Sequence, residues 1–166
     1  MTDAQNASSV LASPAVVRVA EALRAAGVDT QIVELPGAAR TARLAAEFLG
    51  CEVAQIANSL VFRATASDSA VLVMSSGACR VDLARLARVL GEPVAKADAE
   101  FVRRHTGFAI GGVAPVGHGI SKVFVEKALA AQRDLWAAAG HPHTVFRLSY
   151  LQLLGITGGR EAELAA

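Results

Sequence analysis

The chain has 166 residues, 53% of them hydrophobic, which is enough for one compact domain with a sizeable core. Sixteen basic and fifteen acidic residues leave a net charge of +1, a balance that argues against a partner such as duplex DNA. No apolar run approaches the roughly 20 residues that cross a bilayer, and the N-terminus does not resemble a signal peptide, so we expect a cytoplasmic protein without membrane contact.

The first predicted helix follows a polar tail. Residues 1–12 are small and polar, and we predict that they form a disordered tail before a single domain over residues 13–160. Ser13 is typical of a helix N-cap, Pro14 of the first helical position and Gly27 of a stop after the helix. The face that this helix turns to the core would carry Val16, Val19, Ala20 and Leu23.

The next segments predict a strand, a second helix and two central strands. Residues 30–35 alternate like a strand, and the Pro36–Gly37 turn separates them from a helix capped by Thr41. Residues 58–63 and 70–75 are apolar runs that predict two neighbouring strands buried on both faces. The inward face of the helix would carry Leu44, Ala45, Phe48 and Leu49.

Two more capped helices lead into a glycine-rich segment. Asp82 predicts the N-cap of one helix, and Asp98 predicts the N-cap of a short helix that runs through His105. Thirteen of the sixteen basic residues are arginine, and a group of them in this region could meet phosphates or form a solvated face. That group consists of Arg80, Arg85, Arg88, Arg103 and Arg104.

The remainder of the chain predicts three strands and a closing helix. The strands are expected over residues 123–126, 135–139 and 144–148, and the helix runs from its Ser149 cap to Gly155. The last residues, from Arg160 onward, look untethered. Strands and helices are interspersed without a regular βαβ order, which predicts an α+β fold. Its sheet would be mixed, mostly antiparallel and curled or closed into a barrel, with helices outside it.

Residues 106–118 form the most informative stretch, TGFAIGGVAPVGH. Glycine allows positive φ and close approach of the main chain to a ligand, so the N–H groups between Gly111 and Gly117 could converge on a carbonyl oxygen or a phosphate. The same pattern also occurs in a plain tight turn between strands. The loop therefore indicates a site built from backbone only if its surroundings support one.

Other chemistries lack their motifs. The chain has neither a P-loop nor a dinucleotide-binding GxGxxG, and a GxSxG nucleophile elbow is missing. Cys51 and Cys79 stand far apart without a CxxC motif, and the His141-x-His143 pair has no obvious third metal ligand. We therefore expect no cofactor and no metal.

Several segments together resemble one family, the YbaK/ProX aminoacyl-tRNA editing domains. The resemblance runs from about Thr41 to Gly158, and its specific part is the GxxPxG element with an upstream Thr-Gly. The other matching segments are Ala45-Ala46, Gln55-Ile56, residues 59–62, residues 80–83, Gly140-His141 and residues 153–158. The resemblance implies a mixed β-barrel with surrounding helices. It also implies hydrolysis of the ester between a tRNA 3′ end and a wrong, small amino acid, commonly on tRNA for proline, which protects the fidelity of translation.

The resemblance also suggests where the chemistry lies, with one departure. The family usually has a lysine at the start of the strand that here begins with Asn58, and asparagine can neither carry a charge nor supply a proton at neutral pH. We predict that Gly111 and Gly112 bind the ester carbonyl, with Asn58 and His118 as the other catalytic candidates. The candidate substrate-binding residues are Ser59, Thr106, Pro115, Gly117 and His141.

Three functions stay open at this point. The first is a trans-acting deacylase of mischarged tRNA, with the tRNA acceptor end as partner and prolyl-tRNA synthetase as a candidate second partner. A second is a tRNA- or ligand-binding module that lost catalysis when asparagine took the lysine position. The third is hydrolysis of a small ester or thioester unrelated to tRNA, which unlike the first should be nearly insensitive to salt.

Overall fold

The computed structural model describes residues 10–166, so most of the predicted disordered tail, residues 1–9, lies outside the described part. The helices are α1 (Pro14–Ala25), α2 (Ala42–Leu49), α3 (Leu83–Leu90), α4 (Ala99–Thr106) and α5 (Tyr150–Thr157). Two short 3-10 helices span Val53–Gln55 and Lys127–Ala131. Among the described helices, none has the length and apolarity to cross a membrane.

Eight strands form one mixed sheet within the described residues. They are β1 (Val33–Glu34), β2 (Ile56–Ala64), β3 (Ser69–Ser76), β4 (Val94–Lys96), β5 (Lys122–Glu126), β6 (Leu135–Ala138), β7 (Thr144–Leu148) and β8 (Arg160–Ala162). The strand order is β1-β7-β6-β2-β3-β5-β8, and β4 pairs with β2 beside this path. Three of the pairings are parallel (β2 with β6, β3 with β5 and β5 with β8) and the others are antiparallel. The predicted mixed sheet with surrounding helices is confirmed, but across residues 10–166 the sheet is open rather than closed into a barrel.

Helix caps predicted from the sequence are present where expected. The side chains of Ser13, Thr41, Asp82, Asp98 and Ser149 each accept a backbone N–H in the first turn of the following helix. Each bond satisfies one of the N–H groups that a helix start leaves without an intrahelical partner. These caps fix where α2 begins, and that position matters for the site described below.

The sheet separates two hydrophobic layers because successive side chains of a strand point to opposite faces. Ala57, Leu72 and Met74 face the larger core, which also contains buried residues of α1 and α4. Phe62 and Val73 face the other side, where Leu86 of α3 is fully buried. A third cluster joins α2 to the beginning of β2 and to β7.

Several predicted boundaries are wrong. The strand expected over residues 30–35 is only Val33–Glu34, and β4 was not expected. Helix α5 continues through Gly155 to Thr157 and ends at Gly158, whose φ of 59° is readily adopted by glycine. Phe48, predicted to face inward, keeps 36% of its surface exposed, and its ring covers Gly37.

The C-terminal segment is anchored, which corrects the expectation that it is untethered. Strand β8 pairs with β5, and Leu164 is fully buried in the core on the α3 side. The buried Glu126 carboxylate accepts the N–H groups of Leu164 and Ala165 at 2.7 and 3.0 Å. Charge-assisted hydrogen bonds of this kind are stronger than neutral ones, so the end of the chain belongs to the fold.

Candidate functional site

A cavity of about 60 Å³ lies where the start of α2, the start of β2, the glycine loop and the β6–β7 corner meet. One water needs at least roughly 10–15 Å³, so this space holds several waters or a small side chain. Its wall is mostly small and apolar. The lining residues are Ala39, Arg40, Thr41, Ala42, Ala45, Ile56, Ala57, Asn58, Ser59, Gly111, Val113, Trp136, Ala137, Ala138, Pro142, Thr144 and Val145.

Asn58 and Ser59 bring polar groups from β2 to this cavity. Asn58 is half-buried and lies opposite Ser75 of β3. Within residues 10–166, its side-chain amide has no protein hydrogen-bond partner, whereas the Ser59 hydroxyl donates to the Met74 sulfur at 3.3 Å. The Asn58 amide can therefore donate to and accept from a ligand, whereas the Ser59 hydroxyl is left with its acceptor oxygen.

The first half of the glycine loop forms another wall. Gly111 lines the cavity with φ at 88°, a region that disfavours any side chain. Gly112 is buried against the backbone of His141, and a Cβ at Gly112 would stand 2.8 Å from the His141 Cα. The Gly112 N–H donates to the Ala109 carbonyl at 3.0 Å and is not available to a ligand. The loop backbone therefore packs directly against the backbone of the turn that contains His141.

His141 supports this wall from outside the cavity. Its neighbour Pro142 lines the cavity, and its Nδ1 accepts the His143 N–H at 3.0 Å. Burial lowers the pKa of His141, the nearby His143 lowers it further, and Glu34 partly opposes both. The neutral ring serves as a turn element in the described structure, with its backbone pressed against Gly112.

Thr106 at the start of the glycine loop and residues 115–117 near its end lie outside the cavity lining. The Thr106 hydroxyl donates to the Val102 carbonyl at 2.6 Å and accepts the Phe108 N–H at 3.0 Å. Pro115 is buried, and Gly117 has φ at 75° beside the side chain of Arg18. These residues hold the loop in shape.

His118, a predicted catalytic residue, also lies outside the cavity lining. Its Nε2 donates to the Pro115 carbonyl at 3.1 Å, and its Nδ1 accepts the Ile120 N–H at 3.1 Å. Both ring nitrogens are therefore occupied in the neutral form. Burial lowers the pKa of His118, and the bond to Pro115 opposes that shift only partly.

Arg18 is a loop contact that the sequence did not reveal. Its guanidinium lies 4.5 Å from the centre of the Phe108 ring and donates to the Thr106 carbonyl at 3.3 Å. It also covers Gly107 and Gly117, so one side chain from α1 packs on both ends of the loop. Neither spacing nor composition connects position 18 with position 117, because the contact depends on how α1 packs on the sheet.

The chain is similar to one protein family and to several solved structures. The profile of the aminoacyl-tRNA editing domain matches residues 36–156. A solved structure of a candidate trans-editing enzyme for prolyl-tRNA synthetase is 42% identical, with a TM-score of 0.86 over 93% of this chain and 98% of the other. A scaffold protein used in the computational grafting of epitopes is 39% identical, with the same TM-score over 93% and 99%.

A curated relative is more distant. The uncharacterized protein YwhH of Bacillus subtilis (strain 168) is 25% identical over 126 residues, which are 75% of this chain and 80% of that protein. The profile match covers well over half of the chain, and the two solved relatives share its fold over almost their whole lengths. The chain therefore belongs to the aminoacyl-tRNA editing domain family and has the YbaK-like fold.

Proposed function

We propose that the protein is a trans-acting deacylase that hydrolyses the ester of a mischarged small amino acid on tRNA for proline. The observation that carries the proposal is the cavity of about 60 Å³, which combines alanine walls with the Asn58 amide and the glycine loop. Family membership supports the reaction class, and the 42% identical candidate trans-editing enzyme for prolyl-tRNA synthetase supports the choice of tRNA.

Selectivity would come from the size of the cavity. One methylene changes binding by only about 1–3 kcal/mol, so a synthetase that separates similar amino acids needs a second, smaller site. Ala42, Ala45, Ala57 and Trp136 are among the residues that line this cavity of about 60 Å³. A side chain such as that of alanine, serine or cysteine would enter, and the proline ring would be excluded.

Hydrolysis requires a donor for the oxyanion that develops at the ester carbonyl. The Gly112 N–H already donates within the loop, which leaves Gly111 and Val113, whose N–H groups have no backbone acceptor among the described residues. One preorganised donor of this kind contributes about 3–4 kcal/mol. Water adds to the carbonyl carbon, the ester C–O bond breaks, and the ribose oxygen leaves as a hydroxyl.

Asn58 would orient the substrate rather than act as a base. A neutral amide can accept a hydrogen bond from the amino group of the esterified amino acid, and it can donate a hydrogen bond to an oxygen of the ester. The remaining task, placing water against the carbonyl, falls to the vicinal ribose hydroxyl of the terminal adenosine, so catalysis rests on positioning.

A second candidate is a binding module of the same fold. It is favoured by the neutral Asn58 and by the engagement of both His118 nitrogens, which leave the cavity without a side chain that titrates near neutral pH. In this alternative the protein binds tRNA or an aminoacyl ester but does not hydrolyse it.

A panel of charged tRNAs tests the proposal. Transfer RNA for proline is charged separately with alanine, cysteine, serine, threonine and proline, and loss of each ester is followed with and without the protein. Selective loss of a small noncognate ester supports the proposal, and the same rates at higher salt would instead favour a small-ester hydrolase. Binding of tRNA without loss of any ester would favour the noncatalytic module.

A further inference from the structure

Arg40 is the charged residue of the cavity lining. The other residues that line the described cavity are neutral, and none of them is a carboxylate. The Arg40 side chain is exposed, and no carboxylate within residues 10–166 lies within 4.0 Å of its guanidinium. Arg40 is therefore the one formally charged residue in the lining of the described cavity, and no carboxylate forms an ion pair with it there.

The backbone on either side of Arg40 is fixed. The Ala39 N–H donates to the Pro142 carbonyl at 2.8 Å, and the Thr41 hydroxyl accepts the Leu44 N–H at 3.1 Å. A Cβ at Gly111 would lie 4.0 Å from the Ala39 carbonyl oxygen, so Arg40 adjoins the glycine loop. Arg40 therefore lines the cavity from a backbone position that is held on both sides, and its exposed side chain is available to a ligand.

Arg40 precedes the Thr41 cap of α2, and Arg43, three residues later in the first turn of that helix, has different surroundings. Its guanidinium lies 3.6 Å from the Glu47 carboxylate, and its side chain is 87% exposed. Arg43 does not line the cavity. It has the same charge and a similar location, and it therefore serves as a matched control for Arg40.

We propose that Arg40 binds the phosphodiester that joins the last two nucleotides of the substrate. This inference rests on the proposed function, which places the ester of the terminal nucleotide inside the cavity and its phosphate at the mouth. A guanidinium suits this task because its planar fork donates two hydrogen bonds to one phosphate. Arg40 then supplies the positive charge that the neutral Asn58 cannot, and this charge serves binding rather than proton transfer.

Kinetics with two substrates test the assignment. Alanyl-tRNA for proline carries the phosphate, and the alanyl ester of adenosine lacks it. We expect Arg40→Ala to raise the KM for the tRNA ester about tenfold more than the KM for the adenosine ester, while Arg40→Lys recovers part of this difference. Arg43→Ala should leave the ratio between the two substrates as in the wild type. An equal effect of Arg40→Ala on both substrates would overturn the assignment.

Binding without hydrolysis separates this inference from the proposed function. Uncharged tRNA for proline is titrated at several salt concentrations against the wild type, Arg40→Ala and Arg43→Ala. We expect the slope of log K against log salt to fall by about 0.7–0.9 for Arg40→Ala alone, which is the loss of one phosphate contact. If no ester is hydrolysed but this slope falls, the phosphate assignment stands and the deacylase proposal fails. If the slopes of the two variants are equal, the assignment fails whatever the hydrolysis assay gives.

Discussion

Asn58 stands where the resemblance leads us to expect a lysine, and its environment in the cavity makes the consequence testable. The amide lines the cavity and has no protein partner within the described residues. We predict that Asn58→Ala lowers kcat/KM for the noncognate ester about tenfold, because one hydrogen bond to the substrate is lost. Steady-state kinetics measure this effect.

The free energy of unfolding of Asn58→Ala is the control for this prediction. Because the amide is not tied to the protein, the free energy of unfolding should change by no more than about 0.5 kcal/mol. A large fall in the unfolding midpoint would show that Asn58 supports the fold. An unchanged kcat/KM would contradict its role in substrate positioning.

The burial of His118 should make the stability of the protein depend on pH. Burial lowers its pKa in the folded protein, so below the ordinary value of about 6.5 the unfolded chain takes up a proton that the folded chain resists. Stability should therefore fall as the pH drops from about 6.5 toward the lowered pKa. We predict that His118→Gln reduces this acid sensitivity, measured as the unfolding free energy between pH 7 and pH 5.

The pKa of His141 is also lowered in the folded protein, and this residue is present in the wild type and in His118→Gln. The loss of unfolding free energy between pH 7 and pH 5 should therefore become smaller in the variant without disappearing. The same variant also separates a structural from a catalytic His118. If the ring only links Pro115 to Ile120, His118→Gln keeps most of the kcat. A loss of kcat of a hundredfold or more with unchanged stability would restore His118 to catalysis.

The sequence indicated the loop but not which of its residues face the cavity. A pattern of glycines predicts close backbone approach, and Gly111 and Gly112 show it. The glycine pattern does not predict that Arg40 and Trp136 line the cavity, because they lie far from the loop in sequence. Such contacts depend on the topology of the sheet, which spacing alone does not encode.

At the scale of elements, the glycine loop is held by its fit against the turn that contains His141. We predict that Gly112→Ala lowers kcat at least about a hundredfold, because its Cβ would stand 2.8–2.9 Å from the His141 backbone and would push the loop from the cavity wall. The φ of Gly112 is not positive, so the effect would be steric alone. Hydrolysis of the noncognate ester measures it.

Gly119→Ala is the matched control in the same segment. A Cβ at Gly119 has only the His105 carbonyl oxygen within 4 Å, at 3.9 Å, and its φ is also not positive. This variant should retain the wild-type kcat and unfolding midpoint. Equal behaviour of the two alanine variants would show that close packing of the loop on His141 is irrelevant to activity.

Elements with local signals were predictable, and elements defined by distant pairing were not. Caps at Thr41 and Asp82 identified helix starts correctly because the hydrogen bond is made within three residues. Strands β1, β4 and β8 are two or three residues long, and each exists because a distant strand pairs with it. The C-terminal residues look polar and small, and only the buried Glu126 carboxylate explains why they are fixed.

At the scale of the molecule, the arginines grouped by sequence lie on two sides of the sheet. Arg80, Arg85 and Arg88 belong to the segment that packs on the face with Val73. Arg103 and Arg104 belong to α4, which packs on the face with Met74. A single broad basic surface is therefore absent from this group, and we expect the salt dependence of tRNA binding to reflect few phosphate contacts, Arg40 among them.

The most direct measurement is the rate at which the wild-type protein removes alanine from tRNA for proline, beside the rate for the cognate prolyl ester. We predict rapid loss of the alanyl ester, little or no loss of the prolyl ester, and a parallel loss of activity in Gly112→Ala but not in Gly119→Ala. The account would be contradicted if the alanyl ester and the other small noncognate esters remained intact while the protein bound the tRNA.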